Sequence, residues 1–176
     1  MRHLVSRALF GAATAATAAT AACAAAPPAP VAPARTHIIP AGWESSYDEY
    51  RYSPVVRVGD TIYVSGIPAS QGADDEAKLR WMFTQLEVHL TAAGAELADV
   101  VELESFHAVS DPEQFRAQFD LMRKVHAEVF PNRYPAWTAV GTTALLAPGA
   151  IAELRAVAVV GSGRAPGVVR GAQSER

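Results

Sequence analysis

A chain of 176 residues, half of them apolar, is long enough for one domain with a sizeable core and needs no metal or disulfide staple. Its 18 acidic against 15 basic side chains leave a formal charge of −3, and no basic run occurs along it. Nucleic acid is therefore a poor partner, since its binding rests on phosphate neutralisation, and the expected partners are small molecules or copies of the same chain.

Residues 1–24 have the layout of an export signal. A basic start, Met1 to Arg7, precedes an uncharged Ala/Thr/Leu/Phe stretch, and small residues fill every plausible cleavage position. The expected location is exported, periplasmic or secreted. The only cysteine, Cys23, excludes an internal disulfide. Thr20-Ala21-Ala22-Cys23 resembles a lipoprotein cleavage box, with Thr20 where a large aliphatic is usual. A lipid anchor at Cys23 thus stands beside an ordinary signal with an incidental cysteine. The stretch is too short and too weakly apolar to span a membrane. Residues 25–35, rich in Pro and Ala, read as an extended linker. Residues 36–162 read as the globular domain and 163–176 as a flexible tail.

Within the domain the pattern alternates between strands and helices. Ser53 to Val58 and Thr61 to Ser65 are β-rich runs separated by Gly59-Asp60, a hairpin signal. Asp74, Asp75 and Glu76 favour a helix start. The apolar stripe Leu79, Met82, Phe83, Leu86, Leu90 and Ala93 follows, stopped by Gly94. Val100 to Val109 reads as a strand with Val101, Leu103, Ser105, His107 and Val109 on one face. A second helix starts at Asp111-Pro112, with Gln114 at the capping-box position. Its stripe runs Phe115, Phe119, Met122, Val125 and Val129, and Asp120 and Lys124 are spaced to pair on its wet side. Two last strands, about Trp137 to Leu145 and Ile151 to Val160, are expected to pair around Pro148-Gly149.

The order β-β-α-β-α-β-β with two one-sided helices predicts an α+β fold whose helices cover one face of the sheet. The last strand is apolar at nearly every position except Glu153 and Arg155, as in strands buried on both faces. With both helices on one side, the second cover has to come from another subunit.

Several motifs in this order resemble the RidA (YjgF) family across nearly all of Tyr52 to Val160. They are Tyr52-Ser53-Pro54, Val58-Gly59-Asp60, Val64-Ser65-Gly66, Ser105-Phe106-His107 and Tyr134-Pro135-Ala136-Trp137-Thr138, with Glu153 near the end. Ser105-Phe106-His107 together with the Tyr-Pro-Ala-Trp segment looks closest to the YjgH-like subgroup, which lacks the family's substrate-clamping arginine. The resemblance implies a chorismate-mutase-like homotrimer with inter-subunit clefts, in which an arginine holds a substrate carboxylate and a glutamate orients water onto an imine. It matches Glu153 to that catalytic carboxylate and Tyr52 and Ser65 to pocket residues. Trp137 stands where the arginine would be, and Arg123 near a position where asparagine is usual. No cofactor is implied.

The residues themselves leave several roles open. Trp137 cannot replace a bidentate donor, and either selects a flat, weakly polar ligand or packs an interface. Glu153, set among apolar neighbours, is expected to have a raised pKa suited to a general base. Arg155, on the same side two residues on, either pairs with Glu153 or supplies the missing positive charge. His107 is either a hydrogen-bonded core residue or a cleft residue. No His, Cys or carboxylate spacing forms a metal site. Two functions follow: a hydrolytic deaminase of imines or enamines lacking the usual carboxylate, or a non-catalytic trimer binding a small molecule in the same cleft.

Overall fold

Alternation of buried and half-exposed residues along the strands organises the whole chain. The computed structural model describes residues 32–165 and 167–171. The export signal, Cys23, the linker through residue 31 and tail residues 172–176 lie outside the described residues. The elements are β1 (Arg35–Ile38), α1 (Glu44–Asp48), β2 (Val55–Val58), β3 (Thr61–Pro68), α2 (Asp75–Ala92), β4 (Val100–His107), α3 (Pro112–Val129), β5 (Ala136–Gly141) and β6 (Ala152–Val159), with short 3-10 turns at Leu97–Asp99 and Ser162–Arg164. They form an α+β fold with one six-stranded mixed sheet in the order β1-β2-β3-β6-β4-β5.

The seven expected elements are present, and β1 and α1 precede them. β1 begins at Arg35, which the composition had placed at the end of the linker, and pairs antiparallel with β2. The β2–β3 hairpin forms as expected, with Gly59 at φ 59° in its tight turn. The Pro148-Gly149 hairpin does not form. β5 runs parallel to β4 at the sheet edge, with Glu102 to His107 opposite Ala136 to Gly141. β6 lies antiparallel between β3 and β4. The reason lies in the connections. The α3 helix between β4 and β5 supplies the long crossover that parallel neighbours need. The most apolar strand, β6, takes the centre, where both its hydrogen-bonding edges are paired.

Both helices form from local signals. The Asp74 carboxylate caps α2 by accepting from Ala77 N at 2.8 Å, and Leu79, Met82, Phe83, Leu86 and Leu90 are buried. Gly94, at φ 80°, ends it. Asp111 caps α3 through Glu113 N and Gln114 N. The helices clasp on their wet side, where Glu76 accepts from both Arg80 and Lys124, and Arg80 also reaches Glu128. The expected Asp120–Lys124 pair is thereby lost: Lys124 crosses to Glu76 at 2.8 Å and Arg123 takes Asp120 at 3.3 Å.

The buried sheet row is Ile62, Val64 and Ile67 of β3, Leu103, Ser105 and His107 of β4, and Ala152, Leu154, Ala156 and Ala158 of β6. The alanines let α2 approach β6 closely, and each large apolar side chain buried against them contributes roughly 1.5–3 kcal/mol. Val101, expected on this face, is 40% exposed, because the β4–β6 register shifts between Val100 and Glu102. The other sheet face carries Tyr63, Val157, Val159, Glu104, Glu153 and Arg155, and the chain alone leaves it open. Gly163, assigned to the tail, is buried: its N–H donates to Asp99 Oδ1 at 3.0 Å and its carbonyl accepts from Arg133 at 2.7 Å. Among the described residues no helix is long and apolar enough to cross a membrane.

Candidate functional site

A β-bulge places the site. Between Val64 and Ile67 the β3–β6 register shifts, so Ser65 and Gly66 stand opposite Arg155 and the strand bends at that point. Beyond the bulge Pro68 pairs with Glu153, whose side chain lies over Gly66. A Cβ placed on Gly66 would come 2.0 Å from Glu153 Oε1, so only glycine leaves room for this carboxylate. Ser65 is pinned at both ends: its N–H donates to Pro54 O at 2.9 Å and its hydroxyl to Ser53 O at 2.7 Å.

Tyr52 reaches the same place from the loop after α1. Arg51, at φ 63°, makes a left-handed step there, and Tyr52 N then donates to Ser46 O at 3.0 Å. Tyr52, Ser65 and Glu153 line a cavity of about 430 Å³ whose other walls include Tyr50, Gly66, Leu146 and Pro148. That is the size of a small-molecule site. Burial pushes the Glu153 carboxyl above the ordinary glutamate value. None of the ion pairs among the described residues involves it.

The remaining candidates are elsewhere. Arg155 shares the face of Glu153 but bonds Glu104 Oε2 at 2.5 Å. In-register pairing of β4 with β6 sets Glu104 directly opposite Arg155, a closer partner than a residue two positions along the same strand. Arg123 sits on the outer side of α3 with Asp120, away from the cavity. Trp137 is on the opposite, helix-covered face, opposite Leu103. Its indole stacks on His126, with centroids 4.6 Å apart at 18°, and packs against Phe119.

His107 is a core residue at 0% exposure. Its Nδ1 lies 2.9 Å from Gln118 Oε1 and its Nε2 3.1 Å from Ser105 Oγ. With Gln118 as acceptor, the proton is on Nδ1, Ser105 donates to Nε2, and Trp137 Nε1 donates to Ser105 Oγ at 2.9 Å. Burial holds His107 below the ordinary histidine value. This chain of hydrogen bonds fixes Trp137 beneath α3, within one chain, as a packing residue.

The sequence reading missed the α1 wall, with Ser45, Ser46 and Tyr50, the loop residues Leu146 and Pro148, and Gly66. Only Gly66 carried a signal, as an isolated glycine inside a strand pattern. A second cavity, of about 440 Å³, lies beside the start of β4 between Val101, Phe130 and Tyr134. Its one cation, Arg133, is committed to the Gly163 carbonyl.

The profile of the family described as endoribonuclease L-PSP matches residues 45–160. The RutC family protein YjgH of Escherichia coli is 40% identical over 115 residues, which are 62% of this chain and 84% of that protein. A protein of Dermatophagoides farinae named 2-iminobutanoate/2-iminopropanoate deaminase is 29% identical over 116 residues, 62% of this chain and 85% of that one. Among solved structures, a YjgF-family member from Mycobacterium tuberculosis superposes with a TM-score of 0.62 at 32% identity, covering 72% of this chain and 100% of that one. A structure of YjgH superposes with a TM-score of 0.61 at 38% identity, over 72% and 96% of the two chains.

Proposed function

The chain belongs to the endoribonuclease L-PSP family, that is, the RidA (YjgF) family, and from that premise we propose that it is a hydrolytic deaminase of reactive imines or enamines with Glu153 as its general base. The observation that carries the reading is a half-buried carboxylate without a cationic partner, pushed up in pKa, lying over a glycine in a cavity that Tyr52 and Ser65 share. Such a group takes a proton from water near neutrality and returns it to a departing nitrogen. The working form is a homotrimer whose copies cover each other's open sheet face and close the cavity, exported by the leader at residues 1–24. An RNA substrate does not suit the cavity, since among the described residues no lysine or arginine lines it.

A non-catalytic small-molecule binder using the same cavity is the second reading. It is favoured by the loss of the clamping arginine, where Trp137 now packs under α3. Ammonia release from 2-aminoacrylate and from carboxylate-free imines separates the two. Hydrolysis that falls by about a hundredfold or more in Glu153→Gln upholds the enzyme. No release from any imine, with ligand binding intact in the variant, leaves the binder.

A further inference from the structure

We infer that the Glu153 cavity selects a carboxylate-free organic cation, and that its substrate is the aldiminium ion left when a primary amine is oxidised by two electrons. The inference deepens the hydrolase reading and rests on it for the reaction, but its binding part stands on the cavity alone.

Among the described residues the cavity has a fixed anion and no fixed cation, beside the hydroxyls of Ser45, Ser46, Tyr50 and Tyr52, which can donate as well as accept. Among the described residues that line it, Glu153 is the only charged side chain. The Ser65 hydroxyl spends its proton on the Ser53 carbonyl, so its remaining lone pairs can only accept. A substrate carboxylate needs the reverse, a guanidinium or a cluster of N–H donors. Arg155, one candidate for the missing positive charge, is bound to Glu104, and Arg123 lies outside the cavity lining with Asp120. A ligand carboxylate would instead meet the like charge of Glu153 in a poorly solvated place. A cation reverses every one of these terms. An iminium N–H group can donate to Glu153 and Ser65, and the aromatic residues Tyr50 and Tyr52 line the same cavity, a residue type whose ring face favours a positive charge. Leu146 and Pro148 suit an apolar substituent.

The reaction balances without a co-reactant other than water. Ionised Glu153 takes a proton from water as its oxygen bonds to the carbon of R–CH=NH₂⁺, and the π electrons move to nitrogen to give neutral R–CH(OH)NH₂. Protonated Glu153 then returns the proton to nitrogen, the C–N bond breaks, and the hydroxyl proton leaves with ammonia. The products are R–CHO and NH₄⁺. The reaction that supplies this substrate is amine oxidation, and the one that consumes its product is aldehyde oxidation or reduction.

The test uses the full chain and two measurements. Calorimetric titration with benzylammonium, benzyl alcohol and phenylacetate reads binding without chemistry. Benzylammonium is expected to bind about tenfold or more tighter than the alcohol, and phenylacetate not at all. Glu153→Gln should remove the preference for the cation. Tighter binding of phenylacetate, or equal binding of all three, overturns the inference. Hydrolysis is then followed by competition with semicarbazide, using benzaldimine generated from benzylamine by a flavin amine oxidase and 2-iminopropanoate generated from alanine by an amino acid oxidase. Preference for benzaldimine supports the inference. Preference for 2-iminopropanoate overturns it while the hydrolase stands. Cation-selective binding with neither imine hydrolysed refutes the hydrolase and upholds the cation site.

Discussion

Two side chains on opposite faces of the sheet carry opposite consequences for stability. Glu153 has a folded-state pKa raised by burial, so the folded protein holds its proton more tightly than the unfolded chain does. Its contribution to stability is present below the unfolded value and is lost as pH rises through the folded value. Above the unfolded value, ionisation of this carboxyl therefore opposes folding. Glu153→Gln is expected to raise the melting temperature at pH 7 and to leave it unchanged near pH 3, the opposite of what loss of a salt bridge would do. The same shift predicts that kcat/KM rises with pH, with its inflection above the ordinary glutamate range. On the other face, Ser105 links Trp137 to His107. Ser105→Ala leaves the indole N–H and His107 Nε2 without partners in a buried place. Denaturant unfolding should show a loss of about 2–4 kcal/mol.

At the scale of elements, what was legible in the sequence was what local chemistry decides. The capped starts at Asp74 and Asp111, the stripes of α2 and α3 and the Gly59-Asp60 turn all act within a few residues, and they appear where expected. What failed depended on competition between distant segments. Pro148-Gly149 is a sound turn signal, but a turn does not decide which strands it joins. The α3 crossover and the burial of β6 overrode it. Trp137 was assigned to a cleft by its position in a motif, whereas on an edge strand its face is set by pairing with β4. Glu153, Tyr52 and Ser65 did converge: Tyr52 and Ser65 stand at the two ends of one hairpin, and the pairing of β3 with β6 brings Glu153 to them. The chain's end was read as frayed for the same local reason: Gly161-Ser162-Gly163 looks flexible until Asp99 is placed beside it. Burial pushes the Asp99 carboxyl up, but backbone N–H groups of Gly163, Gly161 and Glu96 outweigh this and hold it below the ordinary aspartate value. A lowered carboxyl contributes stability above its unfolded pKa and loses it as pH falls through the folded one. Asp99→Ala is expected to cost about 1–3 kcal/mol at neutral pH, and its deficit in melting temperature should close as pH falls through the lowered folded-state value. A deficit independent of pH would mean that packing, not the carboxylate, holds the terminal turn.

For the whole molecule, the unbalanced feature is the open sheet face. One face is sealed by α2 and α3, while the other carries Tyr63 at 45% exposure, with Val101 and Val140 at 40% and 43% on the neighbouring outer strands. Val157 and Val159 continue the apolar surface along β6, and the Arg155–Glu104 pair sits among them. Contiguous apolar sheet of this kind on a free chain is an aggregation liability, and a paired charge in its midst can be buried without leaving either partner unsatisfied. The same face carries Glu153 and the cavity mouth, so whatever covers the one also limits water at the other. Light scattering should therefore give three times the mass of one chain. Tyr63→Arg, placed in the apolar centre without touching the cavity lining, is expected to yield a folded species of lower mass with a helical signal unchanged. If the cavity is completed by a neighbour, that variant should also lose cation binding although Glu153, Tyr52 and Ser65 are intact. Retained binding in a monomeric variant would make the cavity a property of the single chain, and assembly a matter of stability alone.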